Sequence, residues 1–432
     1  MSSTEVAVDS LPEPIELAAG EAPQQAKPWS KRYIALLFLA QFAIYVGSIA
    51  PGSFSMSLKI AAINPDAKES LLAVVLTTAA VVLIFINPLT GVLSDATRSR
   101  FGRRRPWMVG GLMAGILGYG VIAISSSFAV VLVGWVVGYI GLVTMGAMLL
   151  THMGDSLPEK QRGMVAGVNG AITQVAAIAG VVVAGVVVAQ PALTFMVPVA
   201  VTLLGSAAFI IKMNDPSSLD LPRTRVSVLG VYKTMLFNPR QHPDFAWTWI
   251  SKLSVFIGIY MFSVYTVYFI GARLGIDASA IAALSATAGA ITMITSIVGA
   301  LGSGWLSDKI GRRKPLILVS GALMAVAFVV TGSMTTVVVY IFGAVVFSLA
   351  SGIFGAVDQA LTLDVIPDRV ESGRWVAIMA LANEIPKAIA PVVAAVVLAV
   401  IGGGDNYAMV YYVGAVFGIL GGLLVLPIRS VR

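Results

Sequence analysis

The sequence predicts an all-α membrane protein in which twelve transmembrane helices form two pseudo-symmetric six-helix bundles. The first observation behind this prediction is composition, because 58% of the 432 residues are hydrophobic and only 11% are charged. Soluble proteins carry roughly 45–50% apolar and about 25% charged residues, and no soluble fold could bury this much apolar side chain. The second is an alternation of long apolar runs with short polar breaks, and the third is a polar motif that occurs in both halves of the chain.

Residues 1–30 are a polar first segment with five acidic residues and several prolines. A secretory signal begins with positive charge and continues into a short apolar core, and this segment has neither feature. Its composition is typical of a chain that cannot form a packed core. We therefore predict a disordered N-terminal tail on the cytoplasmic side.

From Tyr33 onward, twelve apolar runs have roughly the length that crosses about 30 Å of hydrocarbon. The six runs of the first half are Tyr33–Leu58, Leu71–Leu93, Trp107–Ile124, Ala129–Leu150, Gly163–Val188 and Ala192–Ile211. The six runs of the second half are Phe245–Ile270, Ala280–Leu306, Leu316–Met334, Thr336–Leu361, Trp375–Ile401 and Tyr407–Pro427. We number these predicted spans one to twelve.

The longest internal polar segment divides the spans six and six. It runs from Lys212 to Asp244 and contains four prolines, as a linker between two bundles would. The predicted organisation is therefore a bundle at residues 31–212, a cytoplasmic linker at 213–244 and a second bundle at 245–432.

Lysine and arginine are distributed unevenly over the polar breaks. With the N-terminus in the cytoplasm, the outer loops hold only Lys59, Lys68 and Arg273, and the spans hold only Lys252 and Lys387. The remaining basic residues fall in cytoplasmic segments, as the positive-inside rule describes. This asymmetry predicts a plasma or inner membrane protein with both termini in the cytoplasm. It also accounts for the net charge of +7, so nucleic-acid binding is not predicted.

One polar motif follows span two and recurs after span eight. The first copy is G-V-L-S-D at residues 91–95 with G-R-R-R-P at 102–106, and the second is G-W-L-S-D at 304–308 with G-R-R-K-P at 311–315. A looser repeat follows spans four and ten, where D-S-L-P begins at Asp155 and D-V-I-P begins at Asp364. Two repeats in register indicate duplicated six-span bundles.

The pattern G-x-x-S-D followed by G-R-R-[RK]-P resembles the signature loop of the major facilitator superfamily, and the resemblance extends from Tyr33 to Pro427. The first copy has four more residues between Asp95 and Gly102 than the second copy has between Asp308 and Gly311. This longer form is similar to that of glycoside–pentoside–hexuronide cation symporters and their sucrose-transporter-like relatives. Sugar symporters of that group often carry acidic residues in an early span, whereas the second span here has only Asn87. The resemblance implies a transporter that works by alternating access.

The resemblance also implies a gate on the cytoplasmic side. The gate residues it suggests are Asp95, Arg103, Asp155, Arg162, Asp308, Arg312 and Asp364. Asp95 is expected at the start of span eleven and Asp308 at the start of span five, because free N–H groups and the helix dipole attract carboxylates there. Arg103 and Arg312 are expected to reach Asp155 and Asp364. We expect these contacts to stabilise the outward-open state; the alternative is that the arginines only anchor the topology.

Four ionisable residues lie inside the predicted spans, where each costs about 2.5–3.5 kcal/mol on insertion scales. They are Lys252 in span seven, Asp358 in span ten, and Glu384 and Lys387 in span eleven. Glu384 and Lys387 share a helix face at i and i+3, so Glu384 is a candidate solute or proton site influenced by Lys387 or Lys252. The alternative is a cluster that ties two helices together. Asp358 lies near the cytoplasmic end, and we expect an interfacial role for it.

Further polar and aromatic side chains in the spans are candidates for the solute site. They are Asn383, Gln41, Tyr45, Asn87, Asn169, Gln174 and Tyr260. Span seven is rich in aromatic residues, which suit stacking on sugar rings, although most such rings serve packing or interface anchoring.

Several classes of function are disfavoured. The chain has no cysteine, its two histidines are far apart, and no phosphate-binding G-x-x-x-x-G-K-[ST] loop occurs. We therefore predict neither an enzyme nor any cofactor or metal.

The leading prediction is a secondary active transporter that takes up a sugar or glycoside together with a proton or another cation. One alternative is a proton-driven exporter of drugs or small metabolites, and another is the membrane subunit of a nucleotide-driven pump. The predicted partners are the solute, the coupling ion and the lipid bilayer, and we expect the protein to function as a monomer.

Overall fold

A computed structural model describes residues 29–220, 228–368, 372–401 and 406–429 of the chain. Most of the predicted N-terminal tail, residues 1–28, lies outside these ranges. Within them the chain forms α-helices and one π-helical segment, with no strand. The predicted all-α class is therefore confirmed for the described part of the chain.

The first half contains seven α-helices. They are α1 (Lys31–Ala50), α2 (Met56–Ile63), α3 (Lys68–Asp95), α4 (Arg105–Ile124), α5 (Phe128–Ser156), α6 (Glu159–Val186) and α7 (Leu193–Lys212). A π-helical segment, Pro51–Ser55, joins α1 to α2, so the three form one continuous span. Pro51 has no N–H to donate, and the wider turn lets the N–H of Met56 pair with the Pro51 carbonyl.

The linker contains one short helix, and the second half contains seven more. The linker helix is α8 (Val228–Thr234). The others are α9 (Pro243–Val264), α10 (Thr266–Leu274), α11 (Ala278–Ile310), α12 (Lys314–Gly332), α13 (Val337–Asp364), α14 (Ser372–Val400) and α15 (Ala408–Leu423).

Eleven helical segments of the described chain are long and apolar enough to cross a membrane, and α15 is a shorter apolar helix of 16 residues. Together they correspond to the twelve predicted spans, with span seven beginning in α9 and continuing into α10. The protein is therefore a multi-pass membrane protein.

Small residues bring neighbouring helices of each bundle into close contact. A Cβ atom on Gly118 of α4 would lie 2.6 Å from the Cα of Gly138 on α5. In the second bundle, a Cβ atom on Gly321 of α12 would lie 2.7 Å from the carbonyl oxygen of Gly418 on α15. Such approaches are typical of membrane helices, which associate through packing rather than through exclusion of water.

The two bundles meet where α3 packs on α14 and α6 packs on α11. We call the side that carries the loops at residues 96–104 and 311–313 the basic face, and the opposite side the distal face. Gly185, at the distal end of α6, lies so close to Ala282 of α11 that no Cβ atom would fit between them. The bundles are thus in close contact at the distal face.

Candidate functional site

Glu384 and Lys387 form an ion pair near the middle of α14. The Lys387 ammonium lies 2.8 Å from Oε1 and 2.9 Å from Oε2 of Glu384. Their side chains are 27% and 29% exposed, so the pair lines a space rather than being sealed in the bundle. Pro386, inside the same helix, removes one backbone donor from this turn. The predicted proximity of the two side chains is confirmed.

Two tyrosines from opposite bundles lie within electrostatic range of this pair. Tyr139 of α5 and Tyr260 of α9 are both close enough to Glu384 and Lys387 to interact electrostatically with them. The ring of Tyr139 stacks on Trp135, with centroids 4.8 Å apart and planes inclined by 11°. The central cluster, defined as Tyr139, Tyr260, Glu384 and Lys387, therefore offers charge, hydroxyl groups and aromatic faces where the bundles meet.

Lys252 and Asp358 form a second ion pair, separate from the first. Lys252 of α9 donates to Asp358 of α13 at 2.7 Å, and both residues are buried. Asp358 was expected to be an interfacial residue; the packing of α9 against α13 buries its carboxylate against the Lys252 ammonium. The described contact of Lys252 is with Asp358 and not with Glu384.

A cavity of about 470 Å³ adjoins the buried pair. Lys252, Gln359, Thr362 and Asn383 provide its polar lining, and small and aliphatic residues of α13 and α14 provide the rest. The hydroxyl of Thr362 and the amide oxygen of Asn383 are buried and have no hydrogen-bond partner among the described residues. Because buried polar groups are normally paired, each of these two atoms calls for a partner beyond the described residues.

The remaining sequence candidates of the first bundle are dispersed. Gln41 is 1% exposed, and neither its amide oxygen nor its nitrogen has a partner in the described chain. The amide oxygens of Asn87 and Asn169 are likewise buried without a described partner. Tyr45 is half-buried and Gln174 is exposed. No described contact joins these residues to the central cluster.

The first copy of the repeated motif surrounds one buried arginine on the basic face. Arg104 lies 2.5 Å from Asp95 and 2.9 Å from Asp155, and it also donates to the hydroxyl of Ser94. Its side chain is 4% exposed. Arg103, the residue expected to reach Asp155, lies 3.9 Å from it. The close contact thus belongs to the next residue, which the turn before α4 directs into the bundle.

The second copy repeats this arrangement in part. Arg313, not the predicted Arg312, contacts Asp364 at 2.7 Å, and Arg312 is exposed. The last basic residue of each motif copy donates to a backbone carbonyl near the end of its own bundle. Arg105 donates to the carbonyl of Met213, and Lys314 donates to the carbonyl of Ile428.

Two predicted gate residues, Arg162 and Asp308, have side chains outside those the structure describes. The side chain of Ser372, at the start of span eleven where Asp95 was expected, also lies outside them. Asp95 itself is 58% exposed, and its described contact is Arg104 of its own bundle.

Asp215 of the linker fixes the conformation of the first motif loop. Its carboxylate accepts hydrogen bonds from the backbone N–H groups of Arg103, Arg104 and Arg105, at 3.1, 2.8 and 2.8 Å. These N–H groups begin α4 and would otherwise be unpaired. Gly102 adopts a φ of 92° here, and a Cβ atom on it would collide with the Asp215 carboxylate.

A cluster of tyrosines, which we call the distal latch, joins the bundles at the distal face. Tyr265 donates to the carbonyl oxygen of Glu69 at 3.0 Å, and Tyr407 donates to the Glu69 carboxylate. Tyr268 donates to the carbonyl oxygen of Ser57 at 2.8 Å. Nearer the middle, Thr77 of α3 donates to the carbonyl of Ala388 on α14. Every direct hydrogen bond described between the bundles lies at these places.

Several contributors to these sites were not predicted from the sequence, among them Tyr139, Arg104, Glu69 and Asp215. Tyr139 could have been found from its i, i+4 spacing to Trp135, but Arg104, Glu69 and Asp215 carried no local signal. Arg104, Glu69 and Asp215 each contact a residue distant in the sequence. The motif G-R-R-R-P does not by itself show which of its three arginines enters the bundle.

Comparisons with known proteins agree with this architecture. The sequence profile described as Major Facilitator Superfamily matches residues 35–302 and 286–432. No curated protein matches the chain in sequence.

Three solved structures illustrate the similarity of fold. A bacterial homologue of the human lysosomal transporter Spinster, inward-facing and unoccupied, has a TM-score of 0.68 at 13% identity over 93% of this chain and 96% of that one. The nucleoside transporter NupG has a TM-score of 0.71 at 11% identity, covering 91% and 99%. The human organic anion transporter MFSD10 has a TM-score of 0.61 at 17% identity, covering 92% and 100%.

Proposed function

This chain belongs to the Major Facilitator Superfamily of membrane transporters, and we propose that it takes up a sugar or glycoside together with a proton or another cation. In this proposal the bundles rock around the central cluster and expose it to each side of the membrane in turn. The resemblance of the first motif loop to the glycoside–pentoside–hexuronide and sucrose-transporter-like symporters supports the choice of solute.

The observation that carries the proposal is the accessible Glu384–Lys387 pair within electrostatic range of tyrosines from both bundles. A charge pair on one helix does not tie helices together, so its cost inside the membrane calls for another reason. Tyr139 stacked on Trp135 offers an aromatic face to a sugar ring. Because Tyr139 and Tyr260 belong to different bundles, a solute between them contacts both halves of the transporter.

The coupling step follows from the chemistry of the pair. When Glu384 accepts a proton, its attraction for the Lys387 ammonium falls, and the ammonium N–H groups become available to solute hydroxyls. Loss of the proton restores the ion pair and displaces those hydroxyls. Proton binding and solute binding are then mutually favourable, as a symporter requires.

We further propose that the basic face is cytoplasmic and that Asp95, Asp155, Asp364 and the adjacent arginines belong to its gate. The positive-inside rule supports this orientation. The conformation described here, with its distal latch formed, then corresponds to the state closed to the outside. The ion pairs of Arg104 and Arg313 hold the loops in shape until the two bundles approach.

The test is solute uptake into proteoliposomes that contain the purified protein and no nucleotide. We expect an imposed proton or sodium gradient to drive accumulation of a sugar or glycoside from a panel of mono-, di- and aryl-glycosides. Stabilisation by amphiphilic drugs without any sugar uptake would favour the exporter instead, and a requirement for ATP would favour a pump subunit.

Glu384→Gln tests the role of the central pair. We expect it to abolish gradient-driven accumulation while solute exchange across the membrane persists, because the amide cannot carry the proton. Asp277→Asn is the matched control, since Asp277 caps α11 at the distal face and asparagine also caps helices. Unaltered coupling in Glu384→Gln would remove this residue from the mechanism.

A further inference from the structure

The linker helix α8 is bonded to the first bundle through Tyr232. The hydroxyl of Tyr232 donates to the backbone carbonyl of Phe85 on α3 at 2.7 Å, and the two rings lie 6.1 Å apart. Phe85 is ten residues before the end of α3, so the contact lies about 15 Å from that end, at a rise of 1.5 Å per residue. The contact of Tyr232 therefore lies well inside α3, away from the end of this helix at the basic face.

The carbonyl groups of this part of α3 are suited to such a contact. Pro88, one turn further on, lies inside the helix. It has no N–H to donate, and its ring crowds the carbonyl of Ile84, which opens the local hydrogen-bond ladder. An outside hydroxyl can then donate to a carbonyl of this turn.

The residues at the end of α8 are bonded to the second bundle through Arg374. This side chain, in the first turn of α14, donates to the carbonyl of Thr234 at 2.7 Å and to that of Leu236 at 3.0 Å. Its guanidinium also lies over the ring of Trp375, 5.2 Å from the centroid. Residues 228–236, which we call the linker brace, thus contact α3 on one side and α14 on the other.

We propose that the linker brace holds the basic ends of α3 and α14 apart and so stabilises the conformation that is open at the basic face. These two helices belong to different bundles and pack together, with Thr77 bonded to Ala388. Closing the basic face requires their other ends to approach, and the brace is bonded to both of them there. Tyr232 and Arg374 are positioning residues that act on this equilibrium without touching solute.

The proposal rests on alternating access, part of the proposed function, but not on the identity of the solute. It predicts that loss of either contact raises the population in which the basic face is closed and the distal face is open. One neutral hydrogen bond corresponds to about a 2- to 10-fold change in such an equilibrium.

The chain contains no cysteine, so single introduced cysteines report on the two faces without background. Ser57→Cys is a reporter for the distal face, because Ser57 is 3% exposed beside the distal latch. Ala380→Cys is a reporter for the basic face, because Ala380 is exposed and lines the cavity next to Lys252. The rate of labelling by a water-soluble maleimide is measured for the full-length protein in the absence of solute.

In Tyr232→Phe we expect the Ser57→Cys reporter to label about 2- to 10-fold faster, and in Arg374→Met, which removes two hydrogen bonds of a charged donor, we expect at least as large an increase. In both variants the Ala380→Cys reporter should label no faster. Tyr412→Phe is the matched control, since the hydroxyl of Tyr412 bonds to Ser333 within one bundle; it should change neither rate. Thermal unfolding of each variant checks that the fold is intact.

Unchanged labelling of the distal reporter in both variants would overturn the proposal, and slower labelling would reverse its sign. If the brace variants behave as expected while no sugar is transported, the brace stands and only the assignment of solute fails.

Discussion

The distal and basic faces of this transporter stabilise its conformation through different chemistry. At the distal face, hydroxyls of Tyr265, Tyr268 and Tyr407 donate to Ser57 and Glu69 of the other bundle. At the basic face, the described ion pairs of Arg104 and Arg313 stay within one bundle. The distal contacts are thus hydrogen bonds from neutral tyrosine hydroxyls, whereas the basic contacts are ion pairs that hold the loops in shape.

This difference bears on how such a protein moves. Tyrosine–carbonyl bonds between bundles can break and be replaced by water at small cost, since each contributes about 0.5–1.5 kcal/mol. Charge pairs inside a bundle persist in both states, because the bundle moves as a unit. We therefore expect substitutions of the intrabundle ion pairs at the basic face to alter stability and substitutions at the distal face to alter the conformational equilibrium.

The largest expected effect is on stability, at the first motif loop. Arg104→Met should lower the free energy of unfolding by about 2–3 kcal/mol, because it leaves Asp95 and Asp155 without their buried partner. This value already allows for the solvent exposure of both carboxylates, which weakens each ion pair. Arg313→Met, which removes one contact of a more exposed side chain, should cost about 1 kcal/mol. Thermal and denaturant unfolding of the purified variants measure both. Equal losses would contradict the difference between the two copies.

A second prediction concerns the close contact of α6 with α11. Gly185→Ala should disfavour closure of the distal face by about 1–3 kcal/mol, because the added methyl group overlaps Ala282. The labelling rate of the Ser57→Cys reporter should then rise about fivefold or more. Gly120→Ala is the control, since Gly120 of α4 has open space around it. A rise in both variants would point to a general loosening of helices instead.

The smallest expected effect is at individual hydroxyls of the distal latch. Tyr265→Phe and Tyr268→Phe, which each remove a donor to a backbone carbonyl, should each increase distal labelling about 2- to 10-fold with little change in the unfolding temperature. If the Ser57→Cys reporter labels as slowly in both variants as in the protein with the intact distal latch, these hydroxyls do not hold the distal face closed. The intrabundle variant Tyr412→Phe again provides the reference.

Much of the site followed from the sequence wherever one helix determined the geometry. Glu384 and Lys387 share a face because residues three apart on a helix are neighbours, and their contact was predicted correctly. The pairing of Lys252 with Asp358 was not, because it depends on how α9 and α13 are rotated against each other. The contact of Arg104 could not be predicted either, because a shift of one residue in the turn before α4 decides which arginine of the motif enters the bundle.

By itself, the sequence determined that the protein lies in lipid, how many spans it has and that its two bundles are repeats. Composition, the length of apolar runs and repeated motifs are properties of the chain alone. The resemblance of its motif loops also indicated the superfamily. Only the tertiary structure decided which charges are buried together, which tyrosines join the bundles and where the linker lies. These features depend on the register and rotation of helices far apart in the chain, which small packing energies set and no local pattern records.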